Sequence, residues 1–325
     1  MKRFLSLVAL CSICCTPVFA QEADPENNVP QVSVIGRFDY PFIPYLYTLV
    51  EGNLGEYFSY SISNHWVSDE PTTPELYQNT WRADVLNWCD WANVSLNLGN
   101  WSFTVGKDII AVGSFEIDQY DWDSYWEMNS TFWNNAQVYQ WGGKVTYTTP
   151  SEANVFTLQA TSSPFNYKPF DSKLMSYAAM WTGDFDIYRS LWSLNLIQYA
   201  SGKGENIKMF ASGNQLDVTD WLTLGADYLF GYDQEATFHS FAFSADFFIS
   251  DHFELLAKGG YEVSGTPIFE MPYERSYIGG ALQYYPLADS QDLRLHALAC
   301  YDTIEGTLLS AGITFNFNLT NLFTR

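Results

Sequence analysis

The chain has 325 residues, with 37 Asp and Glu against 15 Lys and Arg, a formal charge of −22, and 18% aromatic residues at a mean hydropathy of only −0.13. So acidic a chain argues against nucleic acid as a partner, since phosphate contacts need clustered Lys and Arg. No stretch reads as a spanning helix, which needs about 20 consecutive apolar residues.

Residues 1–20 read as a cleavable signal peptide. Lys2 and Arg3 give the positive start, 4–15 the apolar run, and Val18-Phe19-Ala20 the small-x-small site. Cys11, Cys14 and Cys15 lie in this segment. Leu10, Ile13 and Cys14 before them are not the small residues that precede a lipidated cysteine. Cleavage removes Lys2 and Arg3, leaving 13 basic against 37 acidic residues, a formal −24. Residues 21–30 are a polar tail, and 31–325 read as one domain. Only Cys89 and Cys300 remain in an oxidising compartment, enough for one disulfide or two separate thiols.

From residue 31 onward, strand-like segments recur roughly every 19 residues between clusters of Gly, Pro, Asn, Asp and Ser. They fall near 31–40, 57–65, 79–88, 91–99, 101–110, 137–148, 153–162 and 174–184. They continue near 188–200, 205–213, 221–232, 236–249, 253–263, 274–285, 292–301 and 307–318. That makes about sixteen, with 41–50 and 79–88 each open to reading as strand or connection. The alternation is clearest over 308–319, where Leu309, Ala311, Ile313, Phe315, Phe317 and Leu319 oppose Ser310, Gly312, Thr314, Asn316 and Asn318.

Other strands sort in the same way. Leu222, Leu224, Ala226, Tyr228 and Phe230 oppose Thr223, Gly225 and Asp227; Phe241, Phe243, Ala245 and Phe247 oppose Ser240, Ser244 and Asp246. Phe253, Leu255, Ala257 and Tyr261 oppose Glu254, Lys258 and Glu262, and Leu293, Leu295 and Ala297 oppose Arg294 and His296. A soluble β-sandwich also alternates. One face uniformly apolar in strand after strand, without helices to cover it, instead predicts an all-β fold: a transmembrane antiparallel β-barrel, apolar outward and polar inward. Gly143, Gly259, Gly279 and Gly280 are read as inward positions that ease curvature.

The densest polar run is the connection between Ile110 and Gln137, about 25 residues long, a length that is usually functional or disordered. It carries Glu116, Asp118, Asp121, Asp123 and Glu127 among aromatic residues. Folded into a barrel, it would narrow the lumen and set a negative potential there. Otherwise it is a solvated external loop. Asp118, Asp121 and Asp123 alternate like calcium ligands but lack the Gly and distal Glu of a calcium loop. Glycosidase acid/base pairs are not distinguished by spacing in so acidic a chain. His65, His239, His252 and His296 show no metal-ligand spacing and no nucleophile elbow. No cofactor, metal or catalytic residue is expected.

Three runs carry a family resemblance. Asn100-Trp101-Ser102-Phe103-Thr104-Val105-Gly106-Lys107-Asp108 resembles the strand and turn leading into the constriction loop of the phosphate-selective porin O/P-like family. Trp141-Gly142-Gly143-Lys144-Val145-Thr146-Tyr147 resembles the strand after that loop. Residues 284–297, with Tyr284, Pro286, Leu293, Arg294 and His296, resemble its penultimate hairpin as found in Bacteroidetes members.

The resemblance implies a sixteen-stranded homotrimeric porin with an inward-folded loop. Phosphate selectivity does not carry over, because Lys107, Lys144, Arg294 and little else would supply the basic eyelet. The end of the chain, Asn321-Leu322-Phe323-Thr324-Arg325, also departs from the terminal aromatic residue of such barrels.

The sequence thus leads us to expect an outer-membrane porin of a Gram-negative bacterium, passing small hydrophilic solutes or ions passively and favouring cations or neutral molecules. Lys107, Asp108, Glu116, Asp118, Asp121, Asp123, Lys144 and Arg294 are the pore and constriction candidates, with Glu254 and Glu262 as lumen carboxylates distant from the loop. Its partners would be outer-membrane lipid, the solutes and two further copies. The alternative is a plugged barrel acting in binding or structure.

Overall fold

A computed structural model describes residues 29–40, 43–68, 89–118, 128–165, 173–199, 206–233, 237–265, 274–287 and 290–320. Sixteen antiparallel strands close on themselves. They are β1 (Gln31–Tyr40), β2 (Ile43–Leu54), β3 (Phe58–Ser68), β4 (Cys89–Leu98), β5 (Trp101–Ile109), β6 (Tyr139–Thr148), β7 (Asn154–Ser162) and β8 (Met175–Phe185). There follow β9 (Tyr188–Gln198), β10 (Asn206–Thr219), β11 (Leu222–Tyr232), β12 (Thr237–Ser250), β13 (Phe253–Ser264), β14 (Glu274–Tyr284), β15 (Leu293–Asp302) and β16 (Gly306–Asn318). Each strand pairs with its sequence neighbours, and β1 pairs with β16, Arg37 opposite Thr314. Closure leaves no sheet edge unpaired, the condition for a sheet to cross a bilayer.

Most of the strand expectations hold. Residues 41–50 are strand, because β2 runs through them, and 79–88 lies outside the described residues. β2 is hard to read because Pro44 sits near its start and its inward positions, Tyr45, Tyr47 and Leu49, are as greasy as its outward ones. β10 continues to Thr219, past the 213 expected, through an irregularity between Asp217 and Thr219.

The two rims differ. Gly99 and Asn100 link β4 to β5, Asp186 and Ile187 link β8 to β9, and Asp251 and His252 link β12 to β13. Gly55 and Gly99 take φ of 72° and 57° in such turns, a conformation glycine adopts without steric cost. The opposite rim carries longer connections, 110–138 among them.

Burial is inverted relative to a water-soluble protein. Leu158, Phe243, Ile278 and Leu309 are about two-thirds exposed on the outside, whereas Arg37, Glu262 and Gln283 are at most 2% exposed inside. Aromatic residues gather outward near both rims. Trp101 meets Tyr147 at 4.8 Å and Phe253 meets Tyr284 at 4.9 Å beside the short turns; Tyr228 meets Phe241 at 4.6 Å toward the other rim. His239 stands in that upper band, paired in register with Phe230 and bonded to the Tyr228 hydroxyl at 3.0 Å.

The glycine reading needs correction. The register puts Gly143 opposite Val105, Gly259 opposite Phe243 and Gly280 opposite Ala299, all on the outward face. Only Gly279 points inward, where a Cβ would lie 2.5 Å from Met128 Sδ and from Cys300 Cβ. Cys89 on β4 and Cys300 on β15 form no disulfide with each other.

Candidate pore constriction

After β5 the chain turns into the barrel. Ile110 N donates to Val138 O at 2.8 Å, closing the neck of the 110–138 connection. From there its backbone is handed along the inner wall in strand order. Gln159 on β7 accepts from Ala111 N (2.6 Å) and donates to Ile109 O (2.7 Å); Asn195 on β9 donates to Ala111 O (2.7 Å). Ser193 Oγ accepts from Gly113 N at 2.8 Å, and Asp227 on β11 accepts from Phe115 N at 2.8 Å. A non-helical backbone inside a barrel needs such partners, because each unpaired buried N–H costs about 1–3 kcal/mol. The approach is close enough to require two glycines. A Cβ on Gly113 would lie 2.6 Å from Ser193 N, and one on Gly213 would lie 2.9 Å from the Phe115 ring.

The short helix α1 (Phe115–Asp118) brings Glu116 across to β13, where Lys258 Nζ meets Glu116 Oε1 at 2.8 Å with both side chains almost fully buried. The returning segment carries α2 (Thr131–Asn135), capped by Ser130, whose hydroxyl accepts from Trp133 N. Carboxylates occupy the positive N-terminal end of α2. Glu116 accepts from Ser130 N at 2.7 Å and from the Ser130 hydroxyl; Glu262 of β13 accepts from Thr131 N at 3.0 Å and from Thr131 Oγ1 at 2.6 Å. Arg275 of β14 joins Glu262 (2.9 Å), Asp302 of β15 (2.7 Å) and the Asn129 carbonyl (2.8 Å). Apolar packing completes the seat. Ile110, Val112, Ile117 and Phe132 pack on Ile197, Ile207, Leu229 and Phe238, while Met128 packs on Leu256, Tyr277 and Leu298.

The sequence-derived candidates separate. Asp108 and Lys144 form an ion pair at 2.6 Å on the inner wall beside the neck of the loop. Arg294 also points inward and donates to Gln283 Oε1 at 2.9 Å. Glu116 lies inside the barrel but is an anchor, 6% exposed. Asp118 ends α1, and Asp121 and Asp123 lie outside the described residues. Lys107 departs from the inward set. It is in register with Ala92 and Trp141 on the outward face, and its ammonium donates to Cys89 O at 2.5 Å. The odd–even alternation that places Asp108 inside places Lys107 outside. Glu262, expected to lie away from the loop, holds it directly. Lys258, Arg275, Asp302 and Asp227 were missed as anchors, although their inward register was readable for Lys258 and Asp227.

No family model matches the chain, and no curated protein matches it by sequence. Solved structures do share its architecture. The outer membrane channel DcaP of Acinetobacter baumannii aligns with a TM-score of 0.59 at 11% identity over 89% of this chain and 96% of that one. An anion-selective porin from Comamonas acidovorans gives 0.59 at 10% identity over 89% and 98%. The trimer form of OmpT from Vibrio cholerae gives 0.54 at 9% identity over 89% and 97%. At these identities the fold is what is shared: a sixteen-stranded barrel of the porin type.

Proposed function

We propose that the protein is an outer-membrane porin through which small hydrophilic solutes diffuse passively, with a preference for cations or neutral molecules. The observation that carries this reading is the 110–138 connection, whose described parts, 110–118 and 128–138, are seated inside a closed barrel with an apolar outside, so that solute would pass between loop and wall. Of the described inner-wall cations, Arg37, Lys144, Arg189, Lys258 and Arg275 each lie against a carboxylate, while Arg294 donates to the Gln283 amide oxygen. With most of that basic charge compensated in a chain of net −22, an anion-selective eyelet has little support. Cleavage after Ala20, residence in the outer membrane and assembly as a homotrimer belong to the same proposal; the trimer form of OmpT supports the last. The resemblance to the phosphate-selective porin O/P-like family is retained for its inward loop, without its phosphate preference.

A second reading, a plugged barrel acting in binding or structure, is favoured by the apolar packing that fills the inner side of β9 to β12. Proteoliposome swelling separates the two. A porin makes vesicles swell in isotonic monosaccharide at a rate that falls with solute size; a plugged barrel leaves them at the rate of protein-free vesicles.

A further inference from the structure

On the lower inner wall of β2 to β4, one carboxylate stands apart from the compensated pattern. Glu51 has no Lys or Arg at ion-pair distance among the described residues. Its partner is a hydroxyl, Ser61 Oγ, which donates to Glu51 Oε1 at 2.9 Å. The same hydroxyl accepts from Trp91 Nε1 at 2.7 Å. Ser61 therefore holds an indole and an uncompensated carboxylate side by side on one face, both half-buried. Around them, Tyr47 contacts the His65 ring edge-on at 6.2 Å, and Tyr139 lies 5.6 Å from the Trp91 ring.

The chemistry of this grouping is specific. A carboxylate with no cation of its own attracts positive charge, more strongly in a narrow lumen than in bulk water. An aromatic face attracts a cation through its quadrupole and also accepts the apolar collar of an alkylated one. The same wall already shows the pairing, for the Arg37 guanidinium lies 5.9 Å over the Tyr45 ring. A neutral sugar would gain from the ring but not from the charge. A bare metal cation would gain from the charge but hold its water against the indole.

We propose that Glu51, Ser61 and Trp91 form a binding site for small organic cations of the ammonium class on the inner wall, a step in the passage of such solutes. This rests on the porin reading for its role in passage, though not for binding itself. Glu51 supplies charge, Trp91 the face, and Ser61 is a positioning residue that sets their spacing.

Choline is the probe. Titration calorimetry on the detergent-solubilised protein should show choline binding, weakened about tenfold by Glu51→Gln and by Trp91→Leu, with Trp91→Phe intermediate because a ring remains. In planar bilayers, choline should reduce single-channel current in the same order of variants, while glucose should not. Conductance without choline binding or block overturns the site and leaves the porin reading standing. Choline binding without conductance keeps the site and removes the porin reading. Glucose block that depends on Trp91 but not on Glu51 also overturns the proposal, because the wall would then be a neutral saccharide platform.

Discussion

Lys258 on β13 and Glu116 in the inward loop lie 142 positions apart in sequence, yet their charged atoms meet at 2.8 Å inside the barrel. The pair ties the point where the loop has crossed the lumen to the wall opposite its origin. Losing one partner of a buried ion pair strands the other, at a cost of about 3–5 kcal/mol, whereas replacing both with apolar residues costs far less. Lys258→Met alone should therefore destabilise the barrel more than Lys258→Met combined with Glu116→Leu. It should also open the 110–138 connection to protease in otherwise folded protein. Urea unfolding of reconstituted protein with limited proteolysis checks both; additive effects would show that the pair is not coupled.

Gly213 offers a steric probe of the same seat. Its missing side chain leaves room for Phe115 and for the Asp227 carboxylate that accepts from Phe115 N. Gly213→Val should cost about 1–3 kcal/mol by overpacking and displace the loop. The readout is an altered single-channel conductance at unchanged barrel content by circular dichroism. Unchanged conductance would mean that the loop position does not govern flow.

The two faces should respond differently to charge. Phe243, 64% exposed on the outside, should cost about 2–4 kcal/mol when changed to Arg near the bilayer midplane. Asn316, inward and opposite Ile35, should cost much less. Equal costs in reconstituted protein would reject the register.

Cys89 and Cys300 are not bridged to each other, so alkylation under denaturing, non-reducing conditions should label two thiols on protein isolated from membranes. No label would indicate a bridge. Five labels would show that the segment with Cys11, Cys14 and Cys15 had been retained.

The outward faces were legible because the lipid core favours apolar side chains, so Leu309, Phe243 and Leu158 stand among apolar neighbours at period two through the middle of their strands. The inward face follows no such filter. Lys258, Glu262 and Ser240 are simply polar in sequence, and nothing local tells an anchor from a lining residue when the partner, such as Thr131, lies 131 positions away. Glycines were assigned to the wrong face at Gly143, Gly259 and Gly280 for a related reason: with no side chain, they carry no polarity to sort. Lys107 failed through a preference for charge over alternation, since its neighbour Asp108 already fixed the parity.

The central claim is that solute passes between the seated loop and an inner wall most of whose basic groups are compensated. Single-channel recording in a planar bilayer across a KCl gradient tests it most directly. The account predicts discrete open-channel steps and a reversal potential of the sign set by potassium permeation, shrinking in about 1 M salt, where the screening length falls to about 3 Å. A reversal potential of the chloride sign, or a reconstituted barrel that passes no current at any voltage, would contradict it.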